Sequence, residues 1–369
     1  MKAKGKFRSW VQKYISAPAR ILFILFLCCI PLQAAFRLSP AFADFYNRYI
    51  GGALRTLMAK ATGWIPFSVA EAFLYFIPVP IILFCIRLFR QIRGESRFFV
   101  RKIFGLLSII AAANTIFTLN FAAGYHGTPL ADKLQLEDRA VTAQELYDTI
   151  TIVIDHVNET AGKVTFHPDG SSAMSWNIFT LSDALCDAYR PLYEEYPFLT
   201  PMDSSIKPIV ISPLMTYTHI SGVYSFYTGE ANLNTNYPDY VCAYSAAHEL
   251  AHQRGIARED EANFIAFLVC IGSTDPYLQY SGYLSMYSYL SSALYQANPD
   301  LHQQAASKLG DAAKGELAAY SVFFEKYRDN AASKVSDTVN DAYLQSQGTA
   351  GSVSYGMVVD LAVSYYLDK

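Results

Sequence analysis

Three apolar runs in the first third of the chain, at about residues 19–36, 65–86 and 103–124, constrain any fold it can adopt. Each approaches the roughly 20 residues with which a helix crosses the hydrocarbon core of a bilayer. Pro31, Pro66, Pro78 and Pro80 fall within them, and a membrane tolerates such prolines where neighbouring groups re-satisfy the backbone. Residues 1–124 are therefore expected to form a membrane anchor of three transmembrane helices. Charge divides at the same boundary. Residues 1–124 carry 16 Lys and Arg against Asp44, Glu71 and Glu95, whereas residues 125–369 carry 13 against 29 acids, for a net charge of −3. An acidic second part repels phosphate, which excludes nucleic acid as its partner. With 52% hydrophobic and 17% charged residues, the chain has the opposite balance to a disordered one. The six cysteines are too scattered to read as a disulfide framework.

Lys and Arg also set a direction. Six precede the first run (Lys2, Lys4, Lys6, Arg8, Lys13, Arg20), and six lie between the second and third (Arg87, Arg90, Arg93, Arg97, Arg101, Lys102). Four (Arg37, Arg48, Arg55, Lys60) are spread between the first and second. Positive-inside places the N-terminus and residues 87–102 in the cytoplasm and everything after residue 124 outside. The basic start and Ala41-Phe42-Ala43 also fit a long cleaved leader, which leaves the later runs in the same orientation. Phe42, Phe45, Tyr49, Ala53 and Leu57 recur at helical spacing, as in an interfacial helix on the outer surface or a helix packed between the spans.

Beyond Gly127 the pattern is that of a globular domain, 125–369, of α+β class and mainly helical, with a small β-sheet. Thr142-Ala-Gln-Glu145 is a capping box opening a helix to about Glu159, and a second helix is expected at about 180–195 with Pro191 inside it. Lys207–Ser212 and Gly222–Thr228 are β-branched and aromatic, bounded by Pro and Gly, and read as strands. From Pro238 to about Tyr366 the chain reads as helical, with breaks near Gly255, Ser273–Pro276, Asn298–Pro299 and Gly348–Gly351.

The chemistry concentrates at His248-Glu249-Leu250-Ala251-His252. Pro238 and Asp239 suit a helix start, and Gly255 suits its stop. Residues four apart share a helix face, so the two imidazoles can reach one metal ion. Glu249, one step round, is placed to take a proton from water at that metal. Catalytic zinc uses three protein ligands and an open position. After Gly255, Arg258-Glu-Asp-Glu-Ala-Asn-Phe264 begins another helix with three acids in its first turn. Glu259 is the expected third ligand, with Glu261 the alternative and Asp260 after it. Asn263, four residues beyond Glu259, is the expected partner of a ligand histidine. The acid run also suits plain charge compensation at a helix N-terminus.

His-Glu-Leu-Ala-His followed by Glu-x-x-Ala-Asn resembles the gluzincin class of zinc metallopeptidases, over about residues 222–266. In that class a glutamate on the next helix completes the site, in a pattern that ends in aspartate where this chain has Asn263. The run from Glu259 to Ala266 is also similar to phage-type immunity metallopeptidases. Across nearly its whole length the chain resembles a family of bacterial membrane proteins catalogued as a domain of unknown function, through its three apolar runs, Gly222-Val-Tyr-Ser-Phe-Tyr-Thr-Gly-Glu-Ala-Asn232 and His248-Glu-Leu-Ala-His-Gln-Arg-Gly255. The gluzincin resemblance implies a zincin-like extracytoplasmic domain holding one Zn2+ and acting on a peptide or protein. It also implies an edge strand along which substrate lies, for which Gly222–Asn234 is the candidate. Glu230 is a candidate for a substrate amine or polar group, or else a turn glutamate in water. By residue type, His219, Tyr224 and Tyr355 are candidates for an oxyanion donor, or the tyrosines for packing.

The expected function is thus a multi-pass protein of the bacterial cytoplasmic membrane, with bilayer lipid as a partner, whose outer domain is a zinc metallopeptidase. The alternative is a non-catalytic sensor or assembly protein with a structural or ligand-binding zinc. With more than 120 residues between the last apolar run and the motif, nothing in the spans suggests a site within the membrane.

Overall fold

The computed structural model describes residues 2–91, 96–137, 139–349 and 357–368. The chain is mainly helical with two small sheets. Two helices are long and apolar enough to cross a membrane, Ala17–Leu38 and the stretch Phe99–Asn120 of a helix that begins at Ser96. They pack against each other, and Gln33 Nε2 donates to Thr118 Oγ1 at 2.6 Å between them. The expected second span, 65–86, is not a single helix: it is divided into Val69–Phe76 and Pro78–Gln91. Pro78 and Pro80 remove two backbone donors, and the ring at Pro78 obstructs continuation from the preceding turn.

The stretch after the first apolar helix is built into the rest of the protein. It comprises Pro40–Phe45, a π-helical segment Tyr46–Gly51 and a helix Gly52–Gly63. One side carries Asn47 and Arg55, both buried, while Phe45, Tyr49 and Leu57 remain exposed on another. Arg55 has five acceptor contacts: Asn47 O and Oδ1, Asn120 O, Gln253 O and Thr200 Oγ1. The segment is therefore a packed helix that also keeps an apolar outer stripe.

In the second part, the capping box forms at Ala143–Ala161: Glu145 N donates to Thr142 Oγ1 at 3.2 Å, and Thr142 N donates to Glu145 Oε2 at 2.8 Å. A hairpin of β1 (Thr165–Phe166) and β2 (Ser172–Ala173) follows, then the helix Ile178–Glu195, which contains Pro191. The larger sheet has β3 (Ile206–Pro208), β4 (Gly222–Ser225) and β5 (Glu230–Leu233) in the order β3-β5-β4, with β5 parallel to β3 and antiparallel to β4. Two strand expectations are corrected here. The first strand ends at Pro208, and a short helix begins at Ser212. Gly222–Asn234 is a hairpin around Gly229 (φ +71°), so β4 alone lies at the sheet edge and β5 is central.

The main core gathers around Asp239–Gln253 and Glu259–Gly272, each buried along most of its length, and Pro276–Ala297, buried along half of its own. Breaks fall as expected at Gly255 (φ +106°), Ser273–Asp275 and Asn298, and further ones at 308–310 and 326–330 divide the following helices into Pro299–Ser307, Asp311–Glu325 and Ala331–Ser346. Val358–Leu367 packs on the core with Val358, Leu361 and Val363 inward.

Candidate metal centre

Asp239–Gln253 carries the motif on a helix with almost no solvent-facing side. His248 and His252, one turn apart, place their ring centroids 4.6 Å from each other at 89°. Gly255 reverses the chain, and Glu259 opens the next helix directly against them. Glu259 Oε2 stands 3.2 Å from His248 Nε2 and 3.5 Å from His252 Nε2. Two donors on one tetrahedral zinc, each 2.0–2.1 Å from it, stand about 3.3 Å apart. The observed separations match that spacing. Among the described residues, these three form a group whose donor atoms lie within 4.8 Å of one another.

Proton positions give a second test of fit. His252 Nδ1 is 2.7 Å from the Ile256 carbonyl, which can only accept, so Nδ1 carries hydrogen. In the neutral ring Nε2 then turns a lone pair toward a carboxylate oxygen, a repulsive contact unless a cation intervenes. Without a metal the contact is relieved by a proton. Burial opposes charge on His252, but the Glu259 carboxylate outweighs it and holds the imidazole at about 9. Burial likewise works against the Glu259 anion, while the His252 and His248 rings hold the carboxyl well below its ordinary range. The donor set thus fits a divalent cation.

Glu249 lies on the other side of the motif helix face, against the outer edge of β4. Its carboxylate packs on Gly222, and its Oε2 is buried without a hydrogen-bond partner. Burial pushes its carboxyl up to about 7, with His248 and His252 opposing. Gly222 makes this approach possible, because a Cβ there would stand 2.6 Å from Glu249 Cγ and Oε1. The group opens into a cavity of about 610 Å³. Its walls include His219, Gly222 and Phe121 as well as Ser336, Asn340 and Tyr343 of the helix Ala331–Ser346. No local signal in the sequence marked those helix residues, Phe121 or the Ile256 carbonyl as part of the site. Phe121 and the helix residues reach it through long-range packing, whereas the Ile256 carbonyl is brought there by the chain reversal at Gly255.

The remaining candidates fall into place or are corrected. His219 lines the cavity in a left-handed conformation (φ +60°), with Nε2 donating to Tyr327 O at 2.7 Å. Tyr224 also lines the cavity, its ring against Phe121 and its buried hydroxyl unpartnered. Glu230 is neither exposed nor in the cavity. It is buried and accepts from Val69 N (3.1 Å) and Ala70 N (2.9 Å), capping the helix Val69–Phe76. Glu261 points away from the histidines and accepts from Leu130 N at 2.8 Å. Asn263 lines the cavity with Nδ2 unpartnered, so it holds no histidine tautomer. The Ile256 carbonyl has that role for His252. Tyr355 lies outside the described residues.

Residues 46–363 match the model of a family described as "Protein of unknown function (DUF3810)", and the chain belongs to that family. Neither a curated protein nor a solved structure is significantly similar to it.

Proposed function

We propose that this member of the DUF3810 family is a zinc-dependent metallopeptidase, anchored in a bacterial cytoplasmic membrane with its N-terminus inside and a zincin-like domain outside. The observation that carries the reading is the convergence of His248, His252 and Glu259 on one point, beside a carboxylate with an unpartnered oxygen, in an open cavity. A zinc ion held by those three residues would supply Lewis acidity and lower the pKa of water. Glu249 would hold the mobile proton, its unpartnered Oε2 taking it from water and delivering it to the leaving nitrogen. The outer edge of β4 offers backbone groups for an extended peptide to pair with. A structural zinc is closed by four protein ligands. The group of three among the described residues favours the catalytic reading over a sensor or assembly protein.

The test is metal content together with one variant. The full-length protein in detergent is expected to bind about one zinc per chain. Glu249→Gln should retain the metal and lose about 10²–10⁴-fold in hydrolysis of a peptide or denatured-protein library. Wild-type activity in that variant would end the assignment.

A further inference from the structure

More than 120 residues separate the motif from the last apolar run, yet the two meet in space. Asn120 closes the apolar helix, and the next residue, Phe121, lines the cavity with its ring centroid 6.1 Å from that of His252. Polar bonds fix this proximity. Arg55 donates both to Asn120 O and to Gln253 O, at the end of the motif helix, and Asn47 Nδ2 donates to Gly255 O at 2.8 Å. Tyr46 Oη donates to Leu119 O at 3.1 Å while its ring packs on Phe36, which brings the end of the other long helix to the same level. The metal donors therefore lie within one aromatic side chain of the residue that follows an apolar helix, and a few residues of extended chain, at about 3.3–3.6 Å each, span such a gap.

Exposed aromatic residues also stand near the apolar helices and on the sheet, in independent parts of the chain. Phe45 and Tyr49 follow the first apolar helix. Trp64 and Phe67 precede Val69–Phe76, in a loop that Lys207 Nζ ties to β3 through Gly63 O and Ile65 O. Tyr227 stands in the β4–β5 turn, beside Phe226, whose carbonyl accepts from Asn120 Nδ2 at 2.7 Å. Aromatic side chains concentrate where hydrocarbon meets water. Val223 on the edge strand itself is 45% exposed, and Ile220 just before it is 37% exposed.

We infer that the cleft opens at the membrane surface and that its substrate is the juxtamembrane segment of a membrane-anchored polypeptide, an inference that rests on the peptidase reading above. A chain leaving the bilayer in extended form reaches the edge of β4 within a few residues of its own anchor. A freely diffusing peptide must desolvate the same exposed apolar strand without that tether.

The experiment uses the full-length protein in phosphatidylcholine–phosphatidylglycerol vesicles. The substrate is a single-span polypeptide with a randomised 30-residue extramembrane segment, and cut positions are read by mass spectrometry. Cuts are expected within the first ten or so residues beyond the span, at least tenfold enriched over the distal half, and the same segment without its span should be cut at least tenfold more slowly. Cuts spread evenly along the segment, or equal rates for the free segment, overturn the inference while leaving the peptidase reading standing. Absence of cleavage in every substrate, with zinc bound, removes both. A second readout needs no activity: a fluorophore on Val223→Cys should be quenched by headgroup-level spin-labelled lipid several-fold more than one on Val322→Cys. Equal quenching overturns the inference.

Discussion

Two buried polar clusters flank the C-terminal end of the motif helix, and they differ in how completely their central groups are satisfied. Around Arg55, the guanidinium meets carbonyl, amide and hydroxyl oxygens from four separate segments, with no carboxylate among its hydrogen-bond partners. Around His248 and His252, by contrast, His248 Nδ1, Glu249 Oε2 and Asn263 Nδ2 are all buried without partners. Unmatched polar atoms in a protein interior cost about 1–3 kcal/mol each, so a site that keeps three of them uses them for something the folded chain alone does not provide. The first cluster holds the apolar helices to the domain. The second leaves three polar atoms unmatched at the wall of a cavity, as the proposed metal site requires.

Variants can break this contrast. The largest effect is expected at Arg55→Ala, which leaves several buried carbonyls unpaired and should cost about 3–5 kcal/mol of stability. Thermal unfolding in detergent checks it, and a shift below about 1 kcal/mol would show that the cluster is not the clamp described. Glu259→Ala should reduce zinc retention by two orders of magnitude or more, while Glu261→Ala, which loses a bond to Leu130 N, should lower stability and leave metal content unchanged. Equilibrium dialysis distinguishes the two, and the reverse order would move the third ligand. Gly222→Ala forces Glu249 aside by steric contact. Hydrolysis should fall about 10–100-fold with the metal retained, at about 1–3 kcal/mol in stability. The smallest effect is expected at Tyr224→Phe. Its hydroxyl has no partner, so stability should be unchanged or rise by up to about 1 kcal/mol, and turnover should hold. A loss of 10²–10³-fold would instead mark that hydroxyl as an oxyanion donor.

Legibility in the sequence followed the range of the interaction. The capping box at Thr142, the chain reversal at Gly255 and the one-turn spacing of His248 and His252 are local, and each is found where spacing placed it. Glu230 misled because its turn-like neighbours concealed a long-range partner, the helix start at Val69 and Ala70. Asn263 misled because helical spacing says which residues share a face but not which ring N–H already donates to a backbone carbonyl. The expected span at 65–86 had the hydropathy of a membrane helix but also two prolines close enough together to divide it.

From sequence alone come the three metal-donor candidates, the acid beside them and the apolar character of the first third, because each depends on residue type and helical period. Tertiary structure alone decided that Glu249 rests on the edge of β4, that Tyr343 and Phe121 wall the cavity, and that the motif lies beside the end of an apolar helix. Those facts depend on contacts between segments far apart in the chain, which packing and buried hydrogen bonds select and which no local pattern encodes.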